Sequence, residues 1–261
     1  MNATLAHYEL MPSGRLLNAY RTETYCEFVR LLRTPALVIP FLLVPLAAYV
    51  LFGVMIASEA IKDDPYVADY LFSGFSVMAV IGAALFGIGC TLAVEREAGL
   101  LQLKRAMPAP AGAWMVSKMI VGIAFSALSY LPLLIAAVII GQLTVSPSEL
   151  VAMSAVYLIG TIPFCALGML IGTLASAGAA PAYANLLYLP MLWLSGMFFP
   201  LPEFLHAQTV AWPAFHLNQI ALIAGNVEKF IYVPMQLSLG ALAGLTVLCS
   251  TIAVWRLARR G

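Results

Sequence analysis

Between Leu150 and Pro202 the chain carries no Asp, Glu, Lys or Arg. An α-helix rises about 1.5 Å per residue, so this neutral run is more than twice what one crossing of a hydrocarbon core about 30 Å thick consumes. It has to fold as two membrane spans joined by a tight turn, and the small-residue stretch ASAGAAPA (175–182) is where that turn belongs. The whole chain agrees: 62% of its residues are hydrophobic, 10% are charged, and the mean hydropathy is +0.95. A soluble domain carries about 25% charged residues, and a disordered chain needs low hydrophobicity. Both are excluded, which leaves an all-α integral membrane protein.

Six stretches reach or approach the roughly 20 apolar residues a span needs: 36–57, 71–94, 119–141, 150–174, 183–200 and 232–255. Prolines inside them (Pro40, Pro45, Pro132, Pro163, Pro190) are tolerable where neighbouring helices satisfy the freed carbonyls. No cleavable leader is expected, because the first 35 residues lack an apolar core. With both termini in the cytoplasm, eleven of the thirteen basic residues fall inside. Arg15, Arg21, Arg30 and Arg33 precede span one. Arg96, Lys104, Arg105 and Lys118 lie between spans two and three, and Arg256, Arg259 and Arg260 lie in the tail. Only Lys62 and Lys229 fall outside, with the acidic group Glu59, Asp63, Asp64 and Asp69. The expected organisation is a cytoplasmic segment over 1–35, one six-helix membrane domain over 36–255, and a cytoplasmic tail over 256–261.

Two segments are neither spans nor plain loops. Residues 14–33 fit an amphipathic helix lying in the headgroup plane. Leu17, Tyr20, Phe28, Leu31 and Leu32 share one arc, Arg15, Glu23, Arg30 and Arg33 the other, and Arg21 breaks the pattern. The stretch 201–231 is apolar but broken by Pro202 and Pro213, which suits short helices at the outer interface or a re-entrant element.

No Gly-Lys dipeptide occurs, so there is no GxxxxGK[ST] phosphate loop, and no GxSxG or HExxH motif either. No catalytic residue, metal site or cofactor is expected on this chain. The four cysteines (Cys26, Cys90, Cys165, Cys249) are scattered and read as reduced, small apolar packers. A net charge of +1 gives no bias toward nucleic acid. Ion-coupled carriers place Asp, Glu or His at mid-membrane, and the span cores here have none. Energy is therefore expected from outside the chain. An ion-coupled carrier or channel, and an intramembrane enzyme or structural membrane protein, stay open as other classes.

The loop VEREAGLLQLKRAMPAPAGAWMVSK (94–118) resembles that of type-2 ATP-binding-cassette (ABC) export permeases: an E-R-E-x-G-x-L start, a basic residue before a Pro-rich break, then a Lys opening the third span. The segment MLWLSGMFFPLPEFL (191–205) is similar to the same family's SG-apolar-apolar-P…LP stretch. HLNQIAL (216–222) resembles the region that follows but reads Asn-Gln where the family usually has Asn-Pro. The resemblance implies a membrane permease subunit in the inner membrane of a prokaryote, moving an amphiphile such as a drug, lipid or lipid-linked glycan. It implies two separate ATPase subunits that hold ATP and Mg, and pairing of two permease copies. It also implies an ATPase-coupling loop of Glu95, Arg96, Glu97, Gly99, Leu101, Lys104, Arg105 and Pro108. On the residues themselves, 95–107 is a helix ended by Pro108 and Pro110 that presents charges and Leu100, Leu101 and Leu103 for docking. An outer gate is expected at Ser195, Gly196, Met197, Phe198, Phe199 and Pro200, with Tyr188 and Trp193 lining a path. The small-residue faces Gly168-xxx-Gly172 and Gly240-xxx-Gly244 are expected to pack helices closely, chiefly within one chain. His206 and His216 read as interfacial polar residues, and Trp255 as an interfacial anchor.

Overall fold

A computed structural model describes residues 13–106, 111–199 and 203–260, and the regular structure among these residues is helical. Helix α1 is Ser13–Leu32, and α2 (Pro35–Ala48) runs on as a π-helical stretch, Tyr49–Ile56. The short α3 (Ser58–Asp63) leads to α4 (Tyr66–Glu97), α5 (Leu100–Ala106) and α6 (Ala111–Ile140). Then follow α7 (Pro147–Ile159), α8 (Thr161–Leu174), α9 (Ala180–Leu194), α10 (Glu203–Thr209) and α11 (Pro213–Ala224). A 3-10 turn, Glu228–Phe230, precedes α12 (Met235–Arg260).

Helix α4 is the axis of the molecule. A helix apolar on every side is stable only when surrounded, and α2, α6, α8, α9 and α11 surround it. Its glycines set how closely they approach. A Cβ on Gly87 would sit 2.7 Å from the Phe125 ring, and one on Gly82 would sit 2.9 Å from the Tyr188 hydroxyl. The face Gly168-xxx-Gly172 closes on α4 as expected: a Cβ at Gly168 would lie 2.9 Å from the Leu85 carbonyl oxygen, which is backbone and cannot swing away. Gly168→Val is therefore expected to cost about 1–3 kcal/mol through overpacking, read as a lowered melting temperature of the detergent-solubilised chain. The second face is open among the described residues, of which none lies within 4 Å of a Cβ built on Gly240 or Gly244.

Among the described residues, five helical stretches are long and apolar enough to cross a membrane: Pro35–Ile56, Tyr66–Glu97, Ala113–Ile140, Pro147–Leu174 and Met235–Arg259. The fourth joins α7 and α8 across Gly160, where a Cβ would meet Leu217 at 2.2 Å. Its start is fixed by a capping box between Ser146 and Glu149. The stretch expected to cross at 183–200 forms a shorter helix. As α9 it has 15 residues, about 22 Å at 1.5 Å per residue, against a core of about 30 Å. It stops at Leu194 because the Ser195 hydroxyl donates back to the Met191 carbonyl and Gly196 takes a left-handed φ of 65°. The turn expected within 175–182 lies between Leu174 and Ala180.

The segment after α9 folds back as two short helices. Helix α11 is inserted among α4, α7 and α12, and the motif HLNQIAL is a buried polar plug. Ser73 Oγ donates to Asn218 Oδ1 at 2.6 Å, and Tyr157 donates to Ser73 Oγ at 3.1 Å. Gln219 donates to the Phe230 carbonyl and accepts from the Tyr232 amide. His216 was expected at an interface. It is instead internal, 3% exposed, between the Val210 carbonyl (2.8 Å) and Ser238 Oγ (3.1 Å). The His206 side chain lies outside the described residues.

Candidate functional site

The helices converge at one end on a cluster of ionised side chains. Leaving α4, the chain breaks at Ala98–Gly99, where Gly99 takes a φ of 71° that favours glycine, and restarts as α5. This brings Glu95 at the end of α4, Lys104 on α5, Trp114, Ser117 and Lys118 on α6, and Glu23, Thr24, Glu27 and Arg30 on α1 into one site. Lys118 Nζ lies 2.7 Å from Glu95 Oε1 and 3.1 Å from Glu27 Oε2, while being 3% exposed itself. Lys104 Nζ reaches Glu23 Oε1 at 2.5 Å and Glu27 Oε1 at 2.7 Å. Arg30 pairs with Glu95, whose other oxygen accepts from Trp114 Nε1 at 3.3 Å. Thr24 donates to Ser117 Oγ at 3.0 Å.

Three carboxylates meet three cations here, so the cluster is neutral as a whole. Buried ions persist only when paired and fully hydrogen-bonded, and each of the six has at least one partner of opposite sign. Burial alone would raise the Glu27 carboxyl. Lys118, Lys104 and Arg30 outweigh it and hold it down at about 2 against an ordinary 4.5. Burial would lower Lys104, but Glu23, Glu27 and Glu95 hold it above 10.5. A depressed carboxyl stabilises above its unfolded value and loses that contribution as pH falls through the folded one. A raised lysine loses its contribution as pH rises through its folded value. Melting temperature in detergent is therefore expected to be flat from about pH 5 to 10 as far as these groups decide. It should fall between pH 4.5 and 2, and Glu27→Gln should flatten that acid limb.

Several residues expected to face a docking partner are inside. Glu95 is 0% exposed and ties α4 to α6 and α1. Arg96 is also turned inward. Its guanidinium donates to the carbonyls of Thr173 and Ala175, closing the end of α8, where the last carbonyls lack helical partners. Leu101 is 5% exposed and packs in the core. The outward surface of this corner is Glu97, Leu100, Gln102 and Leu103, with Leu103 61% exposed. Pro108 and the Arg105 side chain lie outside the described residues.

Glu23, Glu27 and Lys118 were not singled out as site residues, although Glu23 and Glu27 stand four apart on one side of α1 and Lys118 opens an apolar run. Helix α1 was expected as an amphipathic helix in the headgroup plane; of its polar arc, Glu23 and Arg30 pair within the protein, while Leu17 of its apolar arc is 61% exposed and Leu31 is 4% exposed.

At the other end, Ser195, Met197 and Phe198 are buried within the chain, with Trp193 and Phe199 outside at 61% and 57% exposure. Tyr70 donates to the Gly196 carbonyl, Gly74 lies against the Met197 carbonyl, and Phe198 stacks on Phe75 at 4.7 Å. Tyr188, expected on a path, is 7% exposed. It donates to the Met78 carbonyl and meets Phe86 edge-on.

Residues 19–223 match the family model for the ABC-2 type transporter. The chain is also 27% identical over 205 residues to YvfS of Bacillus subtilis (strain 168), a candidate transport permease by name; the match covers 77% of this chain and 83% of that protein.

Proposed function

From the premise that the chain belongs to the ABC-2 type transporter family, as a multi-pass membrane permease served by an ABC ATPase subunit, we propose that it forms the membrane path of an exporter driven by that ATPase. Two copies pair around a path, two ATPase subunits dock beneath them, and the cargo is an amphiphile taken from the cytoplasm or inner leaflet. ATP and Mg reside on the ATPase. The observation that carries this reading is the neutral cluster of Glu23, Glu27, Arg30, Glu95, Lys104 and Lys118, which fuses α1, α4, α5 and α6 into one platform. Such a platform moves as a unit when α5 is pushed, because sliding any one helix would orphan a buried charge. Closing of the nucleotide-loaded ATPase pair then biases two arrangements of the spans, a two-state element set by a ligand the permease never touches.

The platform belongs on the cytoplasmic side, by the partition of basic residues. With both termini inside, α9 and the turn after it supply a sixth, partial crossing completed by the outer hairpin. Ser195, Gly196, Met197, Phe198 and Phe199 form the outer constriction, with Trp193 facing the partner copy; Pro200 lies outside the described residues. The spans carry mostly neutral side chains, which suits drugs, lipids or lipid-linked glycans.

The test is co-purification with the neighbouring ATPase and reconstitution in vesicles. The complex is expected to hydrolyse ATP with stimulation by its cargo, and the permease alone to hydrolyse none. Leu103→Glu, on the exposed ridge of α5, is expected to leave the permease folded but lower ATPase capture at least tenfold, about 1.4 kcal/mol or more. Undiminished capture with full cargo-stimulated turnover would refute docking through α5.

A further inference from the structure

Helix α11 is held at its start by a histidine used as a clasp. His216, 3% exposed, sets Nε2 at 2.8 Å from the Val210 carbonyl oxygen and Nδ1 at 3.1 Å from Ser238 Oγ. A carbonyl only accepts, so Nε2 carries the hydrogen, and Nδ1 of the neutral ring accepts from the Ser238 hydroxyl. Both nitrogens are engaged, and the pattern is that of the neutral imidazole. A second proton, on Nδ1, turns one donor against another and obliges the hydroxyl to reverse, at a serine that is 0% exposed.

The setting also resists the charge. His216 is the fourth residue of α11 and Ser238 the fourth of α12. The ring therefore joins the first turns of two helices, where the backbone dipoles disfavour a cation. No carboxylate compensates. The titratable groups on the elements packed against α11 are bonded elsewhere: Tyr157 with Ser73, Asp69 with Thr144, Glu149 with Ser146, Lys229 with Asp64, and Tyr70 and Tyr188 with backbone carbonyls. Glu228 is exposed, and the first three turns of α12 carry no ionisable side chain. Burial lowers the ring below its ordinary 6.5, and the bond to Val210 offsets that only in part.

The clasp reaches the end of α9. Gln208 Nε2 donates to the Leu194 carbonyl at 2.8 Å, and Trp212 Nε1 donates to Gln208 Oε1 at 2.6 Å. Val210, between them in sequence, is 38% exposed, which sets the clasp one residue from the surface.

We propose that His216 is a proton-operated latch: acid at the end of the molecule opposite the charged platform protonates the ring, and the first turn of α11 lets go of Val210 and Ser238. Opening returns the ring to water, so the open form takes up a proton that the closed form resists. The stability the clasp contributes is complete above about pH 6.5 and is lost progressively as pH falls below it. Release loosens the hold of the α10–α11 hairpin on the end of α9. The latch needs only the hairpin as folded here and stands apart from the export reading.

Hydrogen–deuterium exchange of the full-length permease in detergent tests it, with labelling times scaled for the intrinsic rate at each pH. From pH 7.5 to 5.5 the opening of 210–218 and 235–240 is expected to rise about three- to tenfold, the ceiling being tenfold per pH unit, while α4 stays protected. His216→Gln, which keeps a donor and an acceptor but no proton equilibrium, should remove the rise. His206→Gln, in the same hairpin, should keep it. A rise that survives His216→Gln, or that vanishes with His206→Gln, would overturn the latch. Equal loosening of α4 would do so too, because acid would then be acting on the whole fold. Nitrogen NMR of the wild type gives a check that needs no variant. Of the three histidine rings in the chain, one is expected to carry its hydrogen on Nε2 and to remain neutral at pH 6.5. Finding no such ring would equally rule the latch out.

Discussion

Lys118→Ala is expected to lower the stability of the permease by about 3–5 kcal/mol, roughly 10 °C in melting temperature for a chain of this size. Lys118 is 3% exposed and bridges Glu95, which is 0% exposed, to Glu27, which is 7% exposed. Removing it leaves three carboxylates against two cations in a site with little access to water. Arg30 and Lys104 remain, but neither reaches both Glu27 and Glu95 as closely. The double variant Glu95→Gln with Lys118→Met removes one charge of each sign and is expected to regain most of the lost stability. It should not regain cargo-stimulated ATP hydrolysis in the complex, because α4 and α6 are no longer ionically joined to α1. Melting curves separate the two effects, since a purely structural role would return activity together with stability. Full activity in the double variant would mean that the cluster only holds the fold.

The pattern of apolar runs made most of the bundle legible. Neutral length alone requires two helices between Leu150 and Pro202, and the structure has α7–α8 and α9 there, separated within 175–179. The two short helices after α9 were legible too, because Pro202 and Pro213 break a stretch that is otherwise apolar. The early end of α9 was not. Hydropathy sees that Gly196, Met197, Phe198 and Phe199 are apolar or small, but not that Gly196 turns left-handed and sends the chain back against Tyr70 and Gly74. The charge cluster was half legible. Its loop half, Glu95 and Lys104, stands in a motif, whereas its other half depends on which face of α1 packs. Amphipathicity sorts α1 into an apolar and a polar arc, but the face that packs draws on both: Leu31 enters the core with Phe28 against it, and Glu23, Glu27 and Arg30 turn toward Lys104, Lys118 and Glu95. Opposite charges eighty or ninety positions apart leave no periodic signal.

At the outer end, a disulfide between two copies at Trp193→Cys or Phe199→Cys is expected to block export almost completely, with reduction restoring it. Helix α9 is too short to cross alone, and the backbone from Ser195 to Phe199 is not helical. Irregular backbone at membrane depth has to be shielded from lipid by protein or line a cavity. Within the chain, Tyr70 and Gly74 cover one side of this turn. The other side presents Trp193 and Phe199, and burying two such rings against a second copy is worth roughly 1.5–3 kcal/mol each. On the proposed pairing a second copy supplies that shield, and motion at such a seam would open or close the path. Met197 is 0% exposed, so Met197→Cys is expected to form no bridge and serves as the internal control. Bridging at Met197 but not at Trp193 or Phe199 would mean that the turn flips out of its protomer in the paired state. If no position from 193 to 199 bridges while export proceeds, the two copies meet elsewhere, and the open Gly240–Gly244 face of α12 is the next seam to probe by the same cysteines.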